Sequence, residues 1–176
     1  MSKTDAWFQS CNRAMTGARP RSRGSVLVVL LALASASLPA AAQTAPRPEQ
    51  LIKWRQSAYQ AIAWNSARIK SALAGGKYDA AEVRVAASAL AALAGAGLPS
   101  LFPAGTGKGK GWRETTARDT VFAEPEKFRQ LTDDFAREAA LLARVAAGTD
   151  AKAAQEQYLK VAQACKGCHD KFRQTD

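Results

Sequence analysis

Cys165-Lys166-Gly167-Cys168-His169, close to the end of this 176-residue chain, decides the reading of everything before it. Two cysteines three apart, followed at once by a histidine, form the C-x-x-C-H pattern expected where a c-type haem is attached covalently. The two thiols can add to the two vinyl groups of one porphyrin as thioethers. The histidine then lies under the iron and offers a ring nitrogen as axial ligand. His169 is the only histidine in the sequence. A thioredoxin-like redox pair needs a βαβ context, and nothing around the motif reads as strand. A structural zinc site takes four ligands. The motif supplies three, and the remaining cysteine, Cys11, lies in a segment expected to be removed. A chance match in a soluble helix is the bland alternative, and the export signal described below weighs against it.

Working outward, Tyr158, Val161, Cys165 and Phe172 keep to one face of a helix that Thr149 or Asp150 would cap. Cys168 and His169 lie three and four positions beyond Cys165, so all three share that face. Gly148 ends a preceding helix that starts near Glu124-Pro125-Glu126, with proline in the first turn and acids at the positive end of the dipole. Its stripe is Phe128, Leu131, Phe135, Leu142 and Val145. Residues 98–122 form a long connection rich in Gly, Lys and Thr. Passage from one end of a four-helix bundle to the other would account for its length, with Leu101, Phe102, Trp112 and Phe122 as anchors to the core. Before it, Asp79 with Glu82 three later reads as a capping box, flanked by Tyr78 and Val83 as a hydrophobic staple. Val83, Ala86, Leu90 and Leu93 give that helix an inner face, and Gly95, Gly97 and Pro99 end it. The first helix is expected from about Glu49 to Ala74, stopped by Gly75-Gly76, with Leu51, Ala58, Ile62, Ile69 and Leu73 inward. Arg55 and Tyr59 lie one turn apart on it. The sum is an all-α, antiparallel four-helix bundle with covalently bound haem c near its C-terminus.

Residues 1–24 are polar and basic, residues 26–34 are an apolar run, and small residues lead to Ala40-Ala41-Ala42-Gln43. This is the pattern of a cleavable signal peptide, residues 1–42, followed by a domain of residues 43–176. A membrane span needs about 20 mostly apolar residues, and Ser35, Ser37 and Pro39 interrupt this run. Export through the general secretory route, a periplasmic location and no stable membrane anchor follow. The formal charge of +10 falls to +6 beyond residue 42, where 20 basic and 14 acidic residues remain. That balance can steer an acidic redox partner. No Lys/Arg stripe interleaved with aromatics appears, which excludes a nucleic-acid binder.

The chain resembles the cytochrome c′ family, the high-spin branch of the class II c-type cytochromes, from about Glu49 to Arg173. The resemblance is carried by residues 165–173 (Cys-Lys-Gly-Cys-His-Asp-Lys-Phe-Arg) and by Trp54-Arg55-Gln56-Ser57-Ala58. It extends to Tyr78-Asp79-Ala80-Ala81 and Leu98-Pro99-Ser100-Leu101-Phe102. The motif's place near the C-terminus separates this family from ordinary c cytochromes. The resemblance implies haem attachment at Cys165 and Cys168, proximal ligation by His169, and Arg173 bordering the proximal pocket. It implies that Arg55 pairs with a haem propionate, assisted by Gln56, and that Tyr59 falls at the distal position. There Tyr59 either blocks the sixth site, donates a hydrogen bond to bound gas, or is a core aromatic with its hydroxyl at the bundle edge. Where relatives have a Pro-Glu-Ile-Trp type segment, this chain has Asp119-Thr120-Val121-Phe122, with Phe122 expected to take over the packing. A homodimer through the outer faces of the first two helices is the family's common state, and the outward Trp64 fits it.

The only methionines, Met1 and Met15, lie in the leader. With no second histidine either, the mature chain lacks the usual sixth ligands, and a five-coordinate iron is expected. A periplasmic protein that binds NO or CO and transfers electrons follows. The alternative is a low-spin class II cytochrome acting purely as an electron carrier. An enzyme such as a peroxidase is disfavoured, because no distal base is evident.

Overall fold

The structure, a computed structural model, describes residues 45–74 and 78–174. The signal segment and the domain boundary assigned at residue 42 lie outside these residues. Four long helices dominate the described chain: α1 (Pro48–Ala74), α2 (Ala80–Ala94), α3 (Pro125–Val145) and α4 (Ala151–Phe172). A 3-10 turn, Leu98–Leu101, and a one-turn helix, Thr120–Ala123, punctuate the connection from α2 to α3. The helices form the antiparallel four-helix bundle that the patterning predicts. α1 packs on α2, α2 on α3 and α3 on α4, whereas α1 and α4 scarcely touch.

The helix ends follow local chemistry. Asp79 caps α2 by accepting the Glu82 N–H at 3.0 Å. Asp150, not Thr149, caps α4 by accepting the Ala153 N–H at 3.1 Å. The capping box at Asp79 is only half made. The Glu82 carboxylate turns away to take both ends of the Arg68 guanidinium on α1, at 2.6 and 3.1 Å. Arg68 holds the Glu82 carboxyl below the usual carboxylate range. The contact therefore adds stability at neutral pH and loses it as pH falls below the unfolded value of about 4.3 and through the folded one. Glu82→Gln is expected to lower the urea midpoint at pH 7 and leave it nearly unchanged at pH 3. Equal loss at both would show that the charge is immaterial.

The main core runs through the bundle from the end remote from the connection to Leu98 at the connection's start. Ile69, Val83, Leu90, Ala139 and Leu142 are all fully buried there. On α1 the inward stripe is Ile52, Arg55, Ile62, Asn65 and Ile69. Ile52 replaces the expected Leu51, and two inward positions are polar, so an apolar count could not register them. On α3, Phe128, Phe135 and Leu142 are buried as the spacing predicts.

The connection does not cross the bundle. It leaves the end of α2, enters the start of α3, and fastens to the first half of α1 and the last turn of α4. In an antiparallel bundle these lie at one end. Its length serves to cover that end. Trp112 is not a core anchor either, being 65% exposed. The interior contributions come from the buried Leu98 and Val121 and from Leu101, Phe102 and Phe122, half-buried against the core as expected.

Candidate haem site

Because α1 and α4 stand apart near the covered end, a cavity of about 570 Å³ opens between them, within the range of roughly 300–1,000 Å³ usual for ligand sites. α1 contributes Arg55, Gln56 and Tyr59 to its wall. The last turns of α4 contribute Cys165, Cys168 and His169, and α3 closes the third side with Phe128 and Phe135. A file of edge-on aromatics runs beneath: Tyr59 to Phe102 at 6.3 Å, Phe102 to Phe128 at 4.8 Å, and Phe128 to Phe172 at 5.2 Å between ring centroids. Such pairs favour this geometry because ring edges are positive and faces negative. They give a flat apolar cofactor a rigid boundary. At the other end of the α1–α4 gap, the Tyr158 hydroxyl meets Ser66 Oγ at 2.9 Å and Ser66 O at 3.1 Å.

Arg55 lies buried on the inward stripe of α1, only 3% exposed. Its guanidinium donates to Thr106 Oγ1 at 3.0 Å, to Thr106 O at 2.6 Å and to Thr115 Oγ1 at 2.5 Å, and stacks 4.7 Å from the centroid of Phe102. All these partners are neutral, and no carboxylate pairs with it among the described residues. A buried cation without a counter-ion is costly, and burial lowers the Arg55 pKa accordingly. An acidic group entering the cavity would meet this charge. A porphyrin carrying propionates fits that requirement, and fits the apolar walls as well.

Gln56 lines the cavity, but its amide is engaged by the connection. Its Nε2–H donates to Arg113 O at 2.9 Å and its Oε1 accepts the Trp112 N–H at 2.7 Å, so its amide holds the connection onto α1. Tyr59 presents its ring to the cavity. Its hydroxyl has no hydrogen-bond partner among the described residues, and burial together with the neighbouring thiols raises its pKa far above the usual value. Burial likewise raises the Cys165 thiol and pushes Cys168 up to about 11. Both therefore remain thiols at neutral pH, and the S–H bond is what adds across a vinyl group. Burial and the nearby Arg173 lower the His169 pKa, which keeps the imidazole neutral with a lone pair free for a metal.

Arg173 lines the cavity together with His169, from just past the end of α4. It does not continue the helix one turn beyond His169 but caps it in an extended conformation, φ −113° and ψ 134°. The cause is the connection. Arg118 N–H donates to Phe172 O at 2.9 Å and Gln174 N–H to Thr116 O at 2.8 Å, an antiparallel bridge of Ala117 with Arg173. Arg118 Nη1 donates to Asp170 O at 3.1 Å and Thr120 Oγ1 to Lys171 O at 3.0 Å. The last carbonyls of a helix have no partner within it. Here the strap of residues 116–120 supplies several, and so fixes the turn that carries His169. Thr106, Thr115, Arg118 and Thr120 are thus site residues that spacing alone did not single out. The unexplained length of the connection was the one signal pointing to them.

Residues 50–173 match the profile of the family described as Cytochrome C'. A cytochrome c′ of Rhodocyclus tenuis is 45% identical over 130 residues, 74% of this chain and 98% of that one. The crystal structure of cytochrome c′ from Thermochromatium tepidum is similar with a TM-score of 0.71 at 37% identity, covering 75% of this chain and 100% of that one. A nitric oxide complex of a cytochrome c′ variant from Alcaligenes xylosoxidans is similar with a TM-score of 0.65 at 28% identity, covering 73% of this chain and 98% of that one. With one end of the bundle opened into a cavity, a C-x-x-C-H face on its wall and relatives matching nearly end to end, the chain belongs to the cytochrome c′ family.

Proposed function

We propose that this protein is a periplasmic haem c protein whose five-coordinate iron binds small neutral gases, NO and CO, and transfers electrons. The observation that carries the reading is the composition of the cavity wall. One helical face presents Cys165, Cys168 and His169, while the opposite wall holds Tyr59 and no methionine or second histidine. When bound, haem supplies a redox-active iron with an axial position open to a diatomic ligand. Cys165 and Cys168 would hold it through their sulfurs, and His169 would hold its iron through a ring nitrogen. Arg55 offsets a propionate charge, and Arg173 borders the face on which His169 lies. Tyr59, kept in its neutral form by burial, is better suited to donate a hydrogen bond than to ligate as a phenolate. Export is proposed from the leader; no helix among the described residues is long and apolar enough to cross a membrane. Trp64 and Val85 are exposed by 62% and 55% on the outer sides of α1 and α2, in keeping with a homodimer there, for which sedimentation is the check.

Optical and EPR spectra of the exported protein, ferric and ferrous, with and without NO, test the reading. High-spin signals that change on adding NO are expected. A low-spin spectrum indifferent to NO would replace the reading with that of a plain electron carrier, for which the position of Tyr59 is the favouring observation. Tyr59→Phe then separates the two roles of the hydroxyl. If it donates to bound gas, NO dissociation is expected to quicken by about tenfold, the equivalent of one hydrogen bond of roughly 1.4 kcal/mol. If it obstructs the iron, association quickens instead.

A further inference from the structure

The hairpin formed by residues 109–115 carries a feature that neither haem attachment nor gas binding uses. Trp112 is 65% exposed, yet it is fixed on three sides. Its backbone N–H donates to Gln56 Oε1 at 2.7 Å, its indole Nε1–H donates to Ser57 Oγ at 2.9 Å, and Lys53 Nζ lies 5.1 Å from the ring centroid. The hairpin beneath is closed by Gly111 N–H to Arg113 O and Thr115 N–H to Gly109 O, both 3.0 Å. It presses onto α1 so closely that a Cβ at Gly111 would meet Gln56 Oε1 at 2.5 Å and Lys53 N at 2.8 Å. An exposed tryptophan held in one orientation has lost its rotamer freedom before any partner arrives, which reduces the entropic cost of binding. Tryptophan is also the residue type most enriched at the energetic centres of interfaces.

Charge surrounds it. Lys108, Lys110 and Arg113 are exposed along the hairpin and Lys53 lies beside the ring, with Glu114 the one acid of the hairpin. Trp54, 45% exposed and three positions before Ser57 on α1, shares that face and widens the apolar centre. Gln56 and Arg113 both line the cavity, so this patch stands at the cavity mouth.

We propose that this immobilised tryptophan in its cationic ring is the docking site for an acidic redox protein. On contact one electron leaves the ferrous iron and reduces the partner's oxidised centre, with no bond or proton moved in this chain. The inference rests on the haem reading above and adds where the partner docks and what charge it carries. A lipid surface also attracts tryptophan and lysine, but stable anchoring needs a broad apolar face or a lipid chain. A rigid hairpin tip does not provide that, and a location at the cavity mouth matters only to a partner that exchanges electrons.

The test uses the haem-loaded protein, reduced and mixed in stopped flow with an oxidised acidic blue-copper protein as probe. The second-order rate is expected to fall steeply with salt. Lys108→Glu with Lys110→Glu should lower it roughly tenfold or more at low salt and flatten the salt dependence, as expected when steering is lost. Trp112→Ser should lower it by about tenfold at every salt concentration, as loss of a central anchor does. Lys152→Glu with Lys160→Glu, toward the far end of α4, should leave it unchanged. Rates indifferent to the hairpin variants, with normal oxidation by ferricyanide, would overturn the docking site alone. So would Trp112-dependent sedimentation with phosphatidylserine vesicles and no effect on the copper protein, which would assign the patch to a membrane. A wild-type protein with no covalent haem, or one that ferricyanide does not oxidise, would overturn the haem reading beneath both.

Discussion

Protein made without its haem, through Cys165→Ser and Cys168→Ser together, is expected to lose its fixed tertiary packing and not only its colour. The cavity between α1 and α4 measures about 570 Å³. At about 24 cal/mol per Å³, a dry void of that size would cost up to roughly 14 kcal/mol, as much as the whole net stability of about 5–15 kcal/mol of an ordinary domain. The mouth opens to solvent, so water relieves part of this, and the figure is a ceiling. Even a third of it would dominate. Serine keeps nearly the shape of cysteine, so the loss traces to the missing cofactor. Ile69, Val83, Leu90 and Leu142 do not line the cavity, and the part of the bundle built on them should keep its helices. The expected state has near-native far-UV circular dichroism, weakened near-UV signals and a broad urea transition, the signature of a molten globule. A haem stain on a denaturing gel should vanish entirely. A double variant with sharp near-UV bands and the wild-type urea midpoint would show that the cavity needs no occupant.

The helices were legible in the sequence because their signals are local. Asp79 and Asp150 at N-caps, prolines at Pro48 and Pro125 and the 3.6-residue periodicity placed each element within a residue or two. The haem-bearing face was legible for the same reason, since residues three and four apart on a helix must share a side. The connection was not. Its contacts join residues more than fifty positions apart, as in Arg55 with Thr106 or Thr120 with Lys171, and no periodicity encodes such pairs. Reading it as a crossing was the simplest account of its length. Its threonine hydroxyls and backbone carbonyls instead satisfy a buried guanidinium on α1 and the open carbonyls of α4. The same blindness applied to Arg55. By composition it is an ordinary solvated helix cation, and only the resemblance placed it toward the cavity. Arg173 was placed beside the pocket only by the resemblance; it does line the cavity, from the extended path into which the pairing of residues 116–118 with 172–174 pulls the chain.

Arg55→Leu is expected to be the most damaging single change outside the C-x-x-C-H face. It keeps the helix and much of the apolar stem but removes three hydrogen bonds, leaving the Thr106 carbonyl without a donor and the Thr115 hydroxyl with only the Ala117 N–H. Hydrogen bonds to a charged group contribute about 1.5–3 kcal/mol each, and some of that returns when water reaches the freed oxygens. A loss of about 3–5 kcal/mol in urea unfolding of the haem-loaded protein is the result. The damage spreads further than one contact, because the guanidinium joins α1 to both arms of the connection, and the connection in turn holds the last turn of α4. The potential of the iron should fall as well. A cation near the cavity favours the less positive, ferrous state, and its removal favours the ferric one. Arg55→Lys separates the two effects. Lysine keeps the charge but lacks the planar fork that reaches Thr106 and Thr115 together. It should recover most of the potential and only part of the stability. Equal recovery of both would mean that the charge alone matters. If Arg55→Leu left both quantities at wild-type values, the role assigned to this buried cation would fail, and with it the view that Arg55 fastens the connection to the haem site.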